Sequence, residues 1–455
     1  MAKFISNSPA CIKSELDLFH VPPTNTSIES GGWAVYNPVS IIDDENGPLE
    51  FNIAATENEY IHLSKTLLYM VVEFVKKSPD VKVDSTTDKT QQPFYIKDNF
   101  GPVNNLASSL FSQIDVALKN ESIETSNSTY AYKAYISDLL NYGEDAKNTF
   151  LQAGLFYKDE AGQMENLEID PEKNHNHGYR SRRDVIINGK GSVELLTRLY
   201  SDIFNSDRYL INGVDITIKL NRNKPQFYLM IADEKLNISI KIKNALLFMR
   251  KAKISPQILL AHSMALEKAT AKYPIKRVVV KTFTIGQNMP DFTTPNLSST
   301  VLPTRVIVGM VDSRAFNGSY KHNPFNFQHF NLRQLQLTLD SKNIPYFKPL
   351  DFDFSSDRYI RGYYTLFEGI DKPVFMNGND ISRYDFAHGY SLFAFDISPD
   401  LCSGDHFNLL KTGVLSLELS FAQNLEHPVH LIIYLEFDNL IEISSSRKII
   451  KDYQI

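Results

Sequence analysis

The sequence has few cysteines and no long apolar run. Cys11 and Cys402 are its 2 cysteines in 455 residues, too few for a disulfide framework, so we expect free thiols in a reducing compartment. No run approaches the roughly 18 apolar residues that a membrane-spanning helix needs. The opening residues MAKFISNSPACIKSELDLF also lack the apolar core of a signal peptide. The sequence therefore predicts a protein without a membrane span that is made and kept in the cytosol or nucleus.

The chain also lacks an excess of charge of one sign. It has 47 lysines and arginines against 53 aspartates and glutamates, a net charge of −6, and both signs are scattered along the sequence. Nucleic-acid-binding domains usually concentrate basic residues in one patch or stripe. The sequence therefore predicts no direct, sequence-specific binding of nucleic acid.

Aromatic residues, in contrast, are abundant. The chain contains 29 phenylalanines and 23 tyrosines, and 43% of its residues are hydrophobic. Flat rings cover much area, which suits wide strands and large contacts between domains. A chain of this length usually forms two or three domains, so we expect aromatic contacts between them.

A pattern in the stretch 323–344, NPFNFQHFNLRQLQLTLDSKNI, organises the rest of the chain. Leucines alternate with polar residues at 335–339, which predicts a strand with one apolar face, and a polar turn follows. Residues 114–118 show the same alternation and are also followed by a polar turn. The two predicted strands begin 335 − 114 = 221 residues apart.

Three further pairs of segments follow in the same order. They are the helix-like aromatic stretches 130–142 and 359–370, the Gly-Val strands 213–220 and 413–420, and the long β-branched strands 236–248 and 429–443. Four similar segments, a little over 200 residues apart, indicate two copies of one domain. Other strands are predicted at 49–54, 66–75 and 276–285, and the apolar run 66–75 is typical of a strand buried on both faces.

Each copy thus has about eight strands, loops of uneven length and few helices. Eight strands with long crossovers suit a jelly roll. We therefore predict an all-β fold, a double jelly roll of two tandem eight-stranded antiparallel barrels or sandwiches with a few short helices.

The same patterns predict how the chain is divided. Ser255 and Pro256 resemble the N-cap and first residue of a helix, which we expect to end before Pro274. The predicted parts are an N-terminal arm (1–30), a first jelly roll (31–253) with an insertion (143–191), a linker helix (254–275), a second jelly roll (276–446) and a C-terminal tail (447–455).

The strongest candidate for an enzymatic site is the pair His175 and His177, because some two-domain jelly-roll enzymes bind a metal through such a pair. That site also needs a nearby carboxylate and a later histidine, and residues 178–183 supply no acid. We therefore interpret the pair as part of a solvated loop. His427 and His430 should point to opposite faces of a strand and cannot share one ion.

Three other motifs have structural interpretations that we prefer. Asp351 and Asp353 could bind a divalent cation, but an acidic loop explains them as well. The segment 188–192 lacks the spacing of a phosphate-binding loop and indicates a hairpin turn. The cluster Arg180, Arg182 and Arg183 follows an acidic run and indicates a solvated loop rather than a nucleic-acid contact. The sequence thus predicts no catalytic residue, no cofactor and no metal site.

Several phrases resemble a known family over nearly the whole chain. They are SELDLFHVPPTNTSIES (14–30), EYIHLSKTLLYM (59–70), SSLFSQIDVALKN (108–120), AYKAYISDLLNY (131–142), LNRNKPQFYLM (220–230), ISPQILLAHSMALEKATAKYPIKRV (254–278) and NPFNFQHFNL (323–332). Their shared order resembles the major capsid protein of Polinton (Maverick) elements and adintoviruses. This family is similar in plan to the adenovirus hexon and other double jelly-roll capsid proteins.

The resemblance implies a structural virion protein that is not an enzyme. It implies a homotrimer that acts as a pseudo-hexameric capsomer of an icosahedral shell, with neighbouring capsomers and a single jelly-roll penton protein as partners. The protein would be made in the host cytoplasm, assembled there or in the nucleus, and located in the virion capsid. The alternatives are a bicupin-type metal-dependent enzyme and a tandem jelly-roll carbohydrate-binding protein.

Two segments carry more specific expectations. The insertion 143–191 is polar, so we expect it on the outer crown of the trimer. The arm 1–30 contains Pro22 and Pro23 and an apolar cluster of Leu16, Leu18 and Phe19. We expect this arm to contact other capsomers or a minor protein rather than its own barrel.

Overall fold

The computed structural model describes residues 11–40, 47–77, 98–124, 127–233, 235–298, 301–370, 378–401 and 406–452. Cys11 is an exposed free thiol, and Cys402 lies outside the described residues. Most of the polar stretch 76–99 also lies outside them. None of the described helices is both long and apolar enough to cross a lipid bilayer.

The described residues of the first half of the chain form ten strands and five α-helices. The strands are β1 (Ile28–Tyr36), β2 (Leu49–Ile53), β3 (Glu59–Lys77), β4 (Phe100–Pro102), β5 (Phe111–Leu118), β6 (Glu121–Ser122), β7 (Ser192–Arg198), β8 (Ile216–Arg222), β9 (Leu229–Ile231) and β10 (Asn237–Ile254). The helices are α1 (Leu106–Ser109), α2 (Tyr130–Asn141), α3 (Glu144–Lys147), α4 (His177–Asn188) and α5 (Pro225–Tyr228).

In the second half, the part of the chain that the structure describes forms four α-helices and ten strands. The helices are α6 (Pro256–Leu266), α7 (Ser313–Asn317), α8 (Ile360–Glu368) and α9 (Arg383–Ala387). The strands are β11 (Ala271–Ile285), β12 (Asp291–Thr293), β13 (Arg305–Asp312), β14 (Leu332–Leu339), β15 (Lys342–Ile344), β16 (Leu350–Asp351), β17 (Leu392–Asp396), β18 (Leu415–Phe421), β19 (Val429–Ile443) and β20 (Ile449–Lys451).

Among the described residues, each half builds two main antiparallel sheets with the same strand order, and the first half has a further two-stranded sheet of β4 and β9. In the first barrel the orders are β1-β10-β3-β7 and β2-β8-β5-β6. In the second barrel they are β11-β19-β13-β17 and β12-β18-β14-β15, with β20 added beside β19 and β16 beside β14. Strands that are distant in sequence pair in both barrels, as the long crossovers of a jelly roll require. The predicted double jelly roll is confirmed.

The duplication extends to single residues of the β5–β8 and β14–β18 ladders. Ile114 pairs with Leu220 in the first barrel, and Leu335 pairs with Leu419 at the corresponding place in the second. Each ladder has one register shift, between residues 111 and 113 and between 332 and 334, again 221 residues apart. This shared β-bulge is typical of a preserved structural feature rather than an accident.

The turns after these two strands are also equivalent. Lys119 and Asn120 have φ values of 48° and 69°, and Asp340 and Ser341 have values of 48° and 65°. Two consecutive residues with positive φ define the hairpin turn whose twist matches that of paired strands. The polar turns recognised in the sequence are therefore hairpin turns of one type.

Three details differ from the sequence-based predictions. The linker helix α6 ends at Leu266 rather than before Pro274, because residues from Ala271 onward pair with β19. Pro274 lies inside β11, an edge strand that pairs with β19 alone, where a missing N–H is tolerated. In the tail, residues 449–451 extend the second barrel by pairing with β19.

The third difference concerns β3, which the sequence predicts to be buried on both faces. Met70 and Val72 on its inner face are fully buried. Leu67, Tyr69 and Val71 on its outer face are only half-buried in this single chain. The apolar outer face of β3 therefore has less cover than its composition predicts.

Candidate functional site

The two barrels meet through aromatic rings. Tyr132 and Tyr135 lie on α2 of the first barrel and are fully buried. The Tyr135 ring stacks on Phe325 of the second barrel with centroids 4.1 Å apart, and Tyr132 stacks on Phe316 at 5.7 Å. Ring pairs of this kind stabilise a contact by about 0.5–1.5 kcal/mol beyond their burial. The predicted aromatic contact between domains is confirmed, and Phe325 comes from the stretch 323–344.

A buried ion pair lies beside these rings. Arg182 of α4 donates to Asp159 Oδ1 at 2.7 Å, and both side chains are 0% exposed. Arg182 also donates to the carbonyl oxygens of Pro102 and Tyr157, at 3.0 and 2.7 Å. These acceptors satisfy the guanidinium, as a buried charge requires.

Asp159 joins the two barrels because it also binds residues of the second one. Asn323 donates to its Oδ2 at 3.2 Å, and the Tyr390 hydroxyl donates to its backbone carbonyl at 2.6 Å. Asn176, the N-cap of α4, donates to Oδ1 at 2.9 Å. The Asp159 carboxylate thus joins the start of α4 to Asn323, and its backbone carbonyl holds Tyr390 of the second barrel.

Two lysines extend the polar contact. Lys158 forms ion pairs with Asp380 and Asp385 of the second barrel, at 3.3 and 2.9 Å. Lys147 is fully buried and donates to the carbonyl of Asn379. Burial lowers the pKa of Lys147 to about 7, and the charge of Asp380 opposes this effect.

These contacts contradict the prediction of a polar, solvated insertion at 143–191. The segment contains α3 and α4 and supplies Lys147, Lys158, Asp159 and Arg182 to the contact between the barrels. The side chains of Lys147, Lys158, Asp159 and Arg182 all have hydrogen-bond partners inside the fold, so burial does not strand these four groups. The premise that placed the whole segment on an outer crown is therefore wrong.

A second buried carboxylate lies on α2. Asp138 Oδ2 accepts from Asn105 at 2.9 Å and from the Tyr200 hydroxyl, and Oδ1 lies 3.6 Å from Arg198. Burial raises the pKa of Asp138 to about 6, although Arg198 and the hydrogen bonds act in the opposite direction. The helix at the barrel contact therefore contains a group that titrates near neutral pH.

The histidine and arginine candidates were predicted to lie in a solvated loop. The structure instead places them in α4 or just before it. The rings of His175 and His177 are 4.3 Å apart at the start of α4, and His175 is buried with Nδ1 at 2.7 Å from the Lys173 carbonyl. Within the described residues, no group of three histidine, cysteine or acidic side chains could hold a metal ion. Arg183 is buried and donates to the Asp98 carbonyl, and Arg180 lies 3.6 Å from Asp184.

Both members of the acidic pair bind protein groups, Asp353 within its own loop and Asp351 on the neighbouring strand β14. Asp353 accepts from the Ser355 hydroxyl at 2.6 Å and from Arg358 at 2.8 Å. The Ser355 bond, helped by Ser356 and Arg358, lowers the pKa of Asp353 to about 2. Asp351 accepts from Gln334 at 2.9 Å. These contacts agree with the predicted acidic loop.

The remaining two candidates are the pair His427 and His430 and the segment 188–192. His430 on β19 stacks on Phe316 at 4.1 Å and lies 2.7 Å from the Ser313 hydroxyl, whereas His427 lies before the strand on the wall of a separate cavity. The segment 188–192 is not a hairpin turn, because it joins the end of α4 to β7. Lys190 and Gly191 make this turn with φ values of 53° and 88°.

The outer face of the second barrel's β11-β19-β13-β17 sheet is covered by the first barrel. His430, Ile432 and Tyr434 alternate along this face of β19, and Ile432 and Tyr434 are 0% and 7% exposed. His430 stacks on Phe316, which in turn stacks on Tyr132 of α2. At the sheet edge, Asp202 of the first barrel accepts from the Val278 amide at 3.1 Å. We call this surface the covered sheet.

The matching sheet of the first barrel, β1-β10-β3-β7, has an open outer face. Two apolar rows cross it, formed by the registered residues Val35, Phe248 and Leu67 and by Leu246, Tyr69 and Leu196. Val35 is 51% exposed, Leu196 is 37% exposed, and the neighbouring Trp33 is 51% exposed. We call this surface the open sheet.

The helices that correspond in the two barrels differ in the same way. Nearly every residue of α2 is buried, because it lies between its own barrel and the second one. Its counterpart α8 exposes Ile360 at 47% and Tyr364 at 53%. The chain therefore makes one contact between helix and sheet internally and leaves the two halves of an equivalent contact exposed.

Sequence reasoning did not identify Asp159 or the open sheet. Asp159 is one of many acids in a polar segment, and no local pattern marks its partners, which lie 17 to 231 residues away. The sequence signal for the open sheet was the run 66–75. Both faces of this run are apolar, which predicted burial on both sides, but the outer face is only half-buried in a single chain.

No family model matches this chain. A Caenorhabditis elegans protein described as uncharacterized protein F54H12.2 is 26% identical over 444 residues, which cover 95% of this chain and 99% of the relative. The two proteins are therefore similar in sequence along almost their full lengths.

Three solved structures share the architecture. A chain of the Sputnik virophage structure has a TM-score of 0.62 at 10% identity and covers 99% of this chain and 94% of its own. The Faustovirus major capsid protein has a TM-score of 0.54 at 9% identity and coverages of 96% and 93%. The mavirus major capsid protein has a TM-score of 0.51 at 13% identity and coverages of 99% and 95%. At these identities the likeness establishes the fold, and the chain has the double jelly-roll fold of viral major capsid proteins.

Proposed function

We propose that this chain is the major capsid protein of an icosahedral shell, of the Polinton (Maverick) or adintovirus type, and that it acts structurally rather than as an enzyme. Residues 31–253 and 276–446 would be its two barrels. The fold is shared with virophage and Faustovirus capsid proteins, and the full-length relative in an animal supports an element that resides in animal genomes. The proposed location is the virion capsid.

The observation that carries this proposal is the pair of unequal sheets. Inside the chain, α2 of the first barrel packs against the covered sheet of the second. The open sheet and α8 are the two unpartnered halves of the equivalent contact. A second copy that placed α8 on the open sheet would repeat the internal contact in a head-to-tail manner, and such a contact closes into a ring when the rotation between copies divides a full turn.

A ring of three chains would contain six similar barrels. It could therefore occupy a sixfold position in a shell while having threefold symmetry. We propose this homotrimer as the capsomer, with neighbouring capsomers and a single jelly-roll penton protein as its further partners. The exposed Trp33 and Tyr364 would lie in the contact between chains, where aromatic residues contribute most of the binding energy.

Light scattering coupled to gel filtration tests the trimer. The wild-type protein should have the mass of three chains, and Trp33→Asp and Tyr364→Asp should each give a monomer with a nearly unchanged melting temperature. Met289→Asp is the matched control, because Met289 is 46% exposed and lies between β11 and β12, outside the open sheet and α8. A wild-type monomer at micromolar concentration, or trimers in both variants, would contradict the proposal. Negative-stain microscopy of the assembled protein then shows whether trimers build shells.

A further inference from the structure

A second contact joins the barrels at one end of the covered sheet. It is made by residues 444–452, which follow β19 and which we call the closing segment. Lys119 of the first barrel donates to the Ser446 carbonyl at 2.8 Å, and Lys451 donates to the Ser122 carbonyl at 2.6 Å. The closing segment of the second barrel therefore rests on the hairpin turn after β5.

The closing segment also binds the loop before β8. Arg447 Nε donates to the Asn212 carbonyl at 2.7 Å, and Arg447 Nη2 donates to Asn212 Oδ1 at 2.9 Å. The turn after β5 and the loop before β8 thus form one surface of the first barrel that holds the chain as it leaves β19.

The duplication supplies the counterpart of this surface in the second barrel. The Lys119 amide donates to the Asp215 carbonyl at 2.9 Å, and the Asp340 amide donates to the Val414 carbonyl at 3.0 Å. In both barrels, therefore, the turn of one strand is fixed against the loop that leads into the paired strand. The turn after β14 and the loop before β18 correspond to the surface that holds the closing segment.

This counterpart surface is apolar and exposed in the single chain. Leu409 and Leu410, in the loop before β18, are 87% and 63% exposed. Phe347 is 94% exposed, and its carbonyl accepts from Asn343 of β15, the strand that follows the turn. We call Phe347, Leu409 and Leu410 the turn patch. Grouped apolar side chains at a surface usually mark a binding site.

The helix α6 is the counterpart of the closing segment. The closing segment follows β19, the second strand in the order of the covered sheet, and α6 follows β10, the second strand in the order of the open sheet. Leu260 and Met264 of α6 are 63% and 58% exposed. Residues four apart lie on the same face of a helix. The helix thus has an apolar face that points to solvent.

The opposite side of α6 is attached to its own barrel. Ile258, Leu259 and Leu266 pack partly against the core. The His262 ring lies parallel to Tyr60 of β3, and its Nδ1 is 2.9 Å from the Tyr60 hydroxyl. The exposed face of α6 is therefore held in a fixed orientation before any partner arrives.

We propose that α6 of one copy packs its Leu260 and Met264 face on the turn patch of a neighbouring copy. This inference rests on the proposed function, because the neighbour is the one that places α8 on the open sheet. Inside the chain, the turn that holds the closing segment precedes α2, and α2 packs against the covered sheet. The turn after β14 precedes α8 in the same order. A neighbour that brings α8 to the open sheet therefore brings its turn patch to α6.

The new contact differs from the internal one in chemistry. Charged side chains of Lys119, Arg447 and Lys451 hold the closing segment, whereas leucines, a methionine and a phenylalanine meet in the proposed contact. Removing this apolar area from water favours association, and it needs no partner for a buried charge. The trimer would thus be stabilised at α6 in addition to the contact of α8 with the open sheet.

Cross-linking between two different chains tests the contact. Both chains have Cys11→Ser and Cys402→Ser, one has Met264→Cys, the other has Leu409→Cys, and the two are co-expressed and treated with a short bismaleimide. Because each chain has one cysteine, every linked product joins two molecules. Mass spectrometry should identify peptides that join residue 264 to residue 409.

Met289→Cys in place of Leu409→Cys is the matched control. Met289 is 46% exposed and lies just before Asp291, which pairs with Ser420 at the end of β18 remote from Leu409. We expect at least tenfold less linkage from residue 289 to residue 264. A trimer without the link from 264 to 409, or with equal linkage from both positions, would overturn the inference.

Substitutions on the two sides of the contact measure its strength. Met264→Asp and Leu409→Asp should each raise the dissociation constant of the trimer at least tenfold in sedimentation experiments, because each places a carboxylate in an apolar contact. The urea midpoint of the isolated monomer should stay unchanged, since both side chains are exposed. Trimers of wild-type affinity in both variants would overturn the inference.

The double variant Met264→Lys with Leu409→Asp tests whether the two positions face each other. Opposite charges across the contact should make its trimer tighter than that of Leu409→Asp alone. Losses from the two substitutions that simply add would contradict direct contact between α6 and the turn patch.

The competing occupant of the exposed face of α6 is a lipid surface. Flotation with phosphatidylcholine and phosphatidylserine vesicles measures this directly. Vesicle binding that Met264→Asp abolishes, without a link from 264 to 409, would overturn the inference in favour of lipid. The mass of the wild-type protein separates the two proposals, because trimers without this link contradict only the present inference, whereas monomers contradict the proposed function.

Discussion

The covered sheet and the open sheet are built from corresponding strands in the same order, yet their outer faces differ. The covered sheet has Ile432 and Tyr434 against the first barrel, whereas the open sheet presents Leu246, Phe248 and Tyr69 to solvent. Both faces are apolar. The difference therefore arises from what lies next to each sheet in one chain, and the proposed trimer would supply a second molecule to the open sheet.

The contact at the covered side is stabilised by more than apolar area. The segment 143–191 contributes the ion pair of Asp159 and Arg182 and the lysines that bind the second barrel. A buried ion pair adds little stability over an apolar pair, but it costs much when one partner is lost. Asn323 and Tyr390 of the second barrel bind Asp159 of this pair, so we expect it to fix the arrangement of the two barrels in addition to the stability that the rings supply.

The largest difference between the two sheets is expected when a charge is placed on each of them. Ile432→Asp buries an unpaired carboxylate in the covered sheet, so it should prevent stable folding. Leu246→Asp on the open sheet should cost about 1–2 kcal/mol in the single chain, because Leu246 is only half-buried, but it should abolish the trimer. Soluble yield and denaturant unfolding measure the first effect, and light scattering measures the second. Equal loss of folding in both variants would contradict the distinction between the two sheets.

A smaller effect is expected from the ion pair at the covered side. Asp159→Ala leaves Arg182 buried without its partner, so the free energy of unfolding should fall by about 3–5 kcal/mol. Urea denaturation measures this change. Asp170→Ala is the control, because Asp170 forms an exposed ion pair with Lys173 in the same segment and should change stability by less than about 1 kcal/mol. A similar small loss for Asp159→Ala would show that the barrels do not depend on this contact.

The pH dependence of the free energy of unfolding should distinguish α2 from α8, because α2 has the buried Asp138 whereas α8 has the exposed Glu368. Burial raises the pKa of Asp138 to about 6 in the folded state, against about 3.9 when unfolded. The folded state therefore holds a proton that the unfolded state releases between about pH 4 and 6. The stabilisation of the folded state by this proton is complete below about pH 4. As the pH rises to about 6, the free energy of unfolding falls by roughly 3 kcal/mol.

The variant Asp138→Asn removes this dependence. Its stability relative to the wild type should increase by roughly 3 kcal/mol from pH 4 to 7, measured by urea denaturation at unit steps of pH. The control Glu144→Gln alters an exposed carboxylate on α3 and should follow the wild type. A constant difference between Asp138→Asn and the wild type would contradict the assigned cause.

The smallest effect is expected from removal of metal. The carboxylates of Asp351 and Asp353 are satisfied by Gln334, Ser355 and Arg358, so dialysis against a chelator should shift the melting temperature by less than about 1 °C. Elemental analysis of the purified protein provides the independent measurement. Stoichiometric iron, manganese or zinc would contradict the capsid proposal and favour the bicupin-type enzyme.

The sequence by itself determined the duplicated strands. The alternation at 114–118 and 335–339 requires one apolar face, and the polar turns require a hairpin, because both are local properties of period and backbone conformation. The helices predicted at 130–142 and 359–370 coincide with α2 and α8, and their ends agree to within a few residues. These features establish two copies of one all-β domain without any knowledge of their partners.

Only the tertiary structure decided how the two copies differ. Residues 143–191 appear polar and irregular in sequence, but Asp159 and Arg182 are buried because Asn323 and Tyr390 of the other barrel lie beside them. The linker helix ends at Leu266, before the predicted end, because residues from Ala271 onward pair with β19. Likewise, the equal apolar faces of the two sheets could not show which one is covered. Burial depends on segments that are distant in sequence, whereas periodicity depends on neighbours alone.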